Sequence, residues 1–158
     1  KEPVDLHALL DECVGAYVLV AQQRGVDLGI ETNEAATIRG DGNALRVMFN
    51  NLIDNATKYT PAGGRVDVCL RMNEGRPLVE IADSGPGIPA DERERVFDRF
   101  YRMGAGANRP FTDVVGSGLG LAIVRRIAVQ HNATVSLDES RNGGLLVSIG
   151  FNAGLSAS

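Results

Sequence analysis

Asn51, Asn55 and Lys58 lie in NNLIDNATKYT, residues 51–61, among Val47, Met48, Phe49, Leu52, Ile53 and Ala56, which recur at helical spacing. Asparagine is a mediocre helix former because its amide competes with the backbone for hydrogen bonds, so Asn50, Asn51 and Asn55 together ask for a reason. At about 100° per residue, Asn51, Asn55 and Lys58 fall within about 60° of one another. Tyr59 borders the apolar stripe made by Leu45, Met48, Phe49, Leu52 and Ala56, while Arg46, Asn50, Asp54 and Thr57 fall on the remaining face, expected to be wet. A half-buried carboxamide needs a partner. A phosphate with a hard cation supplies one, since a side-chain carbonyl suits Mg²⁺ while an amide NH₂ and an ammonium suit phosphate oxygens. Surface amides on an ordinary amphipathic helix fit the same pattern, and the helix alone does not choose.

VEIADSGPGIP, residues 79–89, delivers Asp83 at the end of an apolar run, and Gly85 and Gly87 let the backbone turn sharply and approach a flat ligand. An ionised carboxylate only accepts, so Asp83 suits the exocyclic amine of adenine and opposes the O6 acceptor of guanine. An ordinary strand-ending Asp-Ser-Gly-Pro turn is the alternative. Gly116-Ser117-Gly118-Leu119-Gly120-Leu121 leads into an apolar helical run, where glycines free backbone N–H groups to point at an anion and the helix dipole adds to the attraction. The spacing is not GxGxxG, because position 121 is Leu, and no GxxxxGK[ST] occurs.

A chain of 158 residues with 44% hydrophobic residues suffices for one domain with a real core. No run approaches the roughly 18 to 20 consecutive apolar residues that cross a bilayer. A net charge of -4 and a pI near 5.2 argue against a general nucleic-acid binder. Cys13 and Cys69 form no CxxC and no Cys/His cluster, so a reducing compartment fits. The chain opens at Lys1 with no signal-peptide pattern and reads as a piece of something longer. The periodicity predicts a helix capped by Asp5, with Leu6, Leu9, Leu10, Cys13, Val14, Tyr17 and Val18 inward, ending at Gly25. Strands are expected over 26–31 and 36–39, then the asparagine helix, capped by Asp41 and stopping near Pro61. A hairpin over 65–72 and 77–83 turns at Asn73-Glu74-Gly75, helices cover 90–99 and 119–130, and a second hairpin turns at Asn142-Gly143-Gly144. Residues 103–117 lack any periodic pattern and are expected to form a lid.

NxxxNAxKYTP, DxGxGIP, VFDRFYR (96–102) and GSGLGLAIV, in that order, resemble the N, G1, F and G2 boxes of the catalytic, ATP-binding domain of bacterial sensor histidine kinases, over nearly the whole chain. The resemblance implies a Bergerat-type α/β sandwich, a mixed, largely antiparallel sheet backed by three helices, with ATP between the asparagine helix and a lid. It implies that Asn55 is the Mg²⁺ ligand, that Asn51 and Lys58 contact phosphates, and that Tyr59 is part of the adenine wall. By the same resemblance Asp83 holds the adenine amine, Gly85, Gly87 and Ile88 shape its pocket, and Gly116, Ser117, Gly118, Leu119, Gly120 and Leu121 embrace the phosphates. Arg102 resembles an arginine that reaches the γ-phosphate, and with Asn55 and Lys58 completes the expected catalytic set.

The chain departs from the family pattern where His131-Asn132-Ala133 replaces His-Gly-Gly and Gly144-Leu145 replaces Gly-Thr, both expected outside the ATP contacts. No His-Glu-x-x-x-Pro-like phosphoacceptor segment occurs, and His7 and His131 read as solvated or capping residues. Phe97, Phe100 and Tyr101 read as packing. The expected activity is transfer of the γ-phosphate of Mg-ATP to a histidine on the dimerisation domain of a parent sensor kinase, with onward signalling to a response regulator. The expected setting is cytoplasmic, without nucleic acid or direct membrane contact. A serine kinase acting on an anti-sigma partner, an ATPase of the chaperone and topoisomerase type, and a nucleotide-gated interaction module are the other readings. KYTP and FYR favour the histidine kinases.

Overall fold

A computed structural model describes residues 1–85, 120–140 and 143–152. The expected helix over 90–99 and lid over 103–117 lie outside the described residues. Asp5 accepts a hydrogen bond from Ala8 N at 3.1 Å and opens helix α1 (Leu6–Gln23). Its inward residues Leu6, Leu9, Leu10, Cys13 and Val14 are buried, with Tyr17 and Val18 partly so. Burial pushes the Cys13 thiol up to about 11. Gly25, at φ 75°, turns the chain out of the helix.

Asp41 accepts from Asn43 N and Ala44 N and opens α2 (Gly42–Tyr59). Thr60 ends α2 in an extended conformation because Pro61 follows, and its hydroxyl donates back to Ala56 O at 2.7 Å. The core stripe of α2 is Leu45, Met48, Phe49, Leu52, Ile53 and Ala56, all buried. Each large side chain among them contributes roughly 1.5–3 kcal/mol of transfer free energy. Val47 stays largely exposed. Thr57, expected on the wet face, is 1% exposed. The cause is α1, which packs against α2 and lays Arg24 over it, Nη1 donating to Thr57 Oγ1 at 3.2 Å.

Five strands, β2 (Asp27–Asn33), β4 (Arg65–Asn73), β5 (Arg76–Asp83), β7 (Leu145–Phe151) and β6 (Ala133–Glu139), form a sheet in the order β2-β4-β5-β7-β6. Only the β2–β4 pair is parallel, with a bulge between Ile30 and Thr32. Val66, Val68 and Leu70 of β4, Val79 and Ile81 of β5 and Val147, Ile149 and Phe151 of β7 join α1, α2 and helix α3 (Gly120–Gln130) in one core. This mixed, mostly antiparallel sheet with helices packed on it is the expected sandwich. The first hairpin closes with Glu74 at φ 54° and Gly75 at φ 79°, the pair of left-handed residues that a two-residue turn demands. A strand not anticipated, β1 (Glu2–Asp5), pairs antiparallel with β3 (Thr37–Gly40) in a separate two-stranded sheet. Four residues including Pro3 carry no local strand signal, and only the distant partner makes the strand.

His131 ties the end of α3 to the start of α2: Nδ1 donates to Ile127 O at 2.8 Å and Nε2 accepts from Asp41 N at 3.0 Å. The imidazole therefore carries one proton, on Nδ1. Asn132 follows at φ 54°, a conformation that asparagine adopts more readily than most side chains, which accounts for Asn where the family pattern has Gly. A Cβ on Gly40 would lie 2.6 Å from His131 Cδ2 and 2.8 Å from Nε2, and the ring cannot yield without losing both bonds. Gly40→Ala should therefore lower stability by about 1–3 kcal/mol in urea denaturation. Part of that loss should be recovered in Gly40→Ala/His131→Ala, where the obstacle is gone.

Candidate functional site

Asp83 is the last residue of β5 and, by the period of two, shares the helix-facing side of the strand with Val79 and Ile81. It is 4% exposed. A buried carboxylate needs donors, and Asp83 Oδ1 receives two backbone N–H groups, Gly85 N and Leu145 N, each at 2.9 Å. Burial pushes its carboxyl above the ordinary 3.8, and the two N–H donors pull it back. The side chain is thus fixed through Oδ1.

Two glycines allow the C-terminus of α2 to meet this turn. A Cβ on Gly85 would lie 2.9 Å from Tyr59 O, and one on Gly64 would lie 2.6 Å from Ser84 Oγ. Ser84 Oγ in turn accepts from Arg65 N at 2.9 Å. The backbone of Tyr59, the side chain of Asp83 and Gly85 are therefore brought together. Asn51, Asn55 and Lys58 run along α2 from this point, all half-buried. Lys58 Nζ lies 2.9 Å from Asp54 Oδ2, and Asp54 Oδ1 lies 3.8 Å from Arg24 Nη1. Gly120 opens α3, and half-buried Leu121 packs against the core, with α3 lying on α2. Gly87, Ile88, Arg102, Gly116, Ser117, Gly118 and Leu119 lie outside the described residues.

Gly144 and Leu145, expected outside the ATP contacts, stand against Asp83 Oδ1. A Cβ on Gly144 would land on Asp83 Oδ1 and within 2.6 Å of Gly85 N. Leu145 reaches Asp83 through its backbone, so its residue type carried no signal, whereas a glycine at the entry to a strand hints at a close approach. His7, like His131, is engaged in the scaffold: Nδ1 meets Asn33 O at 2.9 Å and Nε2 lies 3.6 Å from Asp11. Among the described residues no helix is long and apolar enough to cross a membrane.

Residues 40–154 match the family described as histidine kinase-, DNA gyrase B-, and HSP90-like ATPase. The swarming motility regulation sensor protein RssA of Serratia marcescens is 37% identical over 141 residues, 87% of this chain and 28% of that relative. The chain thus spans under a third of that relative's length. The solved structure of the mycobacterial sensor histidine kinase MprB superposes with a TM-score of 0.81 at 31% identity, covering 97% of this chain and 98% of that one. Full-length ShkA, solved with AMPPNP, superposes with a TM-score of 0.79 at 28% identity, covering 99% of this chain and 32% of that one.

Because the carboxyl of Asp83 titrates higher in the folded than in the unfolded chain, the native state binds that proton more tightly. Its contribution to stability is full below the ordinary carboxylate range and is lost as pH rises through the raised value. Asparagine keeps a carbonyl for both N–H donors without the buried charge. Asp83→Asn should therefore unfold at a urea midpoint equal to or above the parent's at neutral pH, with the difference shrinking in acid.

Proposed function

Because the chain belongs to the histidine kinase-, DNA gyrase B-, and HSP90-like ATPase family, whose matched relatives are sensor histidine kinases, we propose that it binds Mg-ATP and donates the γ-phosphate to a histidine on the dimerisation domain of a parent sensor kinase, for onward signalling to a response regulator. The observation that supports this most is the fixed Asp83 carboxylate, buried beside the end of a helix whose half-buried edge carries Asn51, Asn55 and Lys58. A base-selective acceptor and a phosphate-selective stripe then adjoin. Asp83 Oδ2 accepts from the adenine amine, with Tyr59, Gly85, Gly87 and Ile88 around the ring. Asn55 ligates Mg²⁺ through its carbonyl, Asn51 and Lys58 meet phosphate oxygens, and Gly116, Ser117, Gly118, Leu119, Gly120 and Leu121 supply N–H groups. Arg102 neutralises charge on the transferring phosphoryl group. Little covalent work falls to the protein, whose part is positioning and charge neutralisation. The acceptor histidine belongs to another domain, since His7 and His131 serve packing between elements.

Titration calorimetry with ATP, ADP and GTP, with and without Mg²⁺, tests the nucleotide assignment. ATP and ADP should bind in preference to GTP. Asp83→Ala should lose that preference by removing an acceptor worth roughly 1–3 kcal/mol, and Asn55→Ala should chiefly remove the Mg²⁺-dependent part. Equal affinity for GTP would overturn the adenine site.

Incubated alone with ATP labelled at the γ-phosphate, the chain should gain no acid-labile phosphohistidine, and supplying the parent's histidine helices should restore transfer. Arg102→Ala should slow that transfer more than it weakens binding. Label lost on substituting His7 or His131 would place the acceptor here instead.

A further inference from the structure

Lys58 does not stand free on its helix. Its ammonium sits 2.9 Å from Asp54 Oδ2, one turn earlier, both side chains about a quarter exposed. On the helix wheel Asp54 lies about 60° from Asn51, on the side away from Asn55, so the pair draws the ammonium off the amide stripe. The other carboxylate oxygen faces a second cation. Arg24 Nη1, at the C-cap of α1, lies 3.8 Å from Asp54 Oδ1 and is held there by its bond to Thr57 Oγ1 at 3.2 Å. Thr57 Oγ1 donates in turn to Asp54 O at 2.9 Å, so the guanidinium is anchored next to the carboxylate whether or not Lys58 is present.

From this geometry we infer that Asp54 is the resting partner of Lys58 and that Arg24 is a positioning residue for the nucleotide: when phosphates take the ammonium, Asp54 passes to Arg24. This rests on Lys58 contacting phosphate, as proposed above. Without Arg24, drawing Lys58 toward an anion leaves a half-buried carboxylate without a cation, which opposes binding. A residue on α1 then governs affinity at α2 without touching the ligand.

Titration of the chain with Mg-ATP in single and double variants tests the exchange. Arg24→Gln should weaken binding about three- to fivefold, the range of a half-exposed ion pair. Asp54→Asn should bind at least as tightly as the parent, and Arg24→Gln/Asp54→Asn should match Asp54→Asn, because no carboxylate remains to be satisfied. Arg24→Lys, which keeps the charge, should stay within about twofold of the parent. Unchanged binding in Arg24→Gln alongside a clear loss in Lys58→Ala would overturn the exchange while leaving the phosphate contact standing. A double variant as weak as Arg24→Gln alone would reduce Arg24 to scaffold. Parent-like binding in Lys58→Ala would instead remove Lys58 from the phosphates, and the exchange with it.

Discussion

A buried carboxylate has to be supplied with donors, and the supply for Asp83 comes from two places far apart in the chain. Gly85 N lies two residues on, and Leu145 N lies 62 residues away. Meeting both at once brings the end of β5, its own turn and the start of β7 to one point, with no room for a side chain at Gly144. The sheet register agrees with this demand, since β5 and β7 pair antiparallel from Ala82 opposite Leu146 to Leu78 opposite Gly150. Without those two N–H groups the charge would stay unpaired in a region nearly closed to water, at a cost of several kcal/mol.

Helix α2 carries this arrangement to the rest of the molecule. One stripe fills the core, the opposite side is covered by α1 through Arg24 and Thr57, and a half-buried polar edge is left between them. Both ends are pinned from outside the helix, at the start by His131 through Asp41 N and at the finish by the close packing of Gly64 on Ser84 and Gly85 on Tyr59. A helix held at both ends presents its polar edge at a set distance from the Asp83 turn. Preorganisation of that kind lowers the entropy lost on binding, because the groups are not ordered by the ligand.

Elements whose signals are local were legible in the sequence. The caps at Asp5 and Asp41, the stop at Pro61, the Glu74-Gly75 turn and the alternation of β4, β5 and β7 all act within a few residues. Partnerships between distant segments were not legible: β1 with β3, β2 parallel to β4, and Arg24 over Thr57 exist only once the chain is folded. The same division runs through the site. Asp83 and the stripe of Asn51, Asn55 and Lys58 could be picked out by type and spacing, whereas Leu145 contributes an N–H that any residue but proline would supply. Asp54 read as a wet-face charge, and its pairing with Arg24 exists only where α1 and α2 lie side by side.

Among the described residues, the strand order leaves β2 and β6 at the margins of the sheet. Both margins are acidic: β2 carries Asp27 and Glu31 on either side of Gly29 and breaks its register against β4 between Ile30 and Thr32, and β6, whose register with β7 runs unbroken, ends in Asp138 and Glu139. Two copies meeting margin to margin would bring acidic residues near one another, and at β2 across a ladder already broken by the bulge. The strands themselves thus oppose edge-to-edge pairing between copies, both margins by their charge and β2 by its bulge as well.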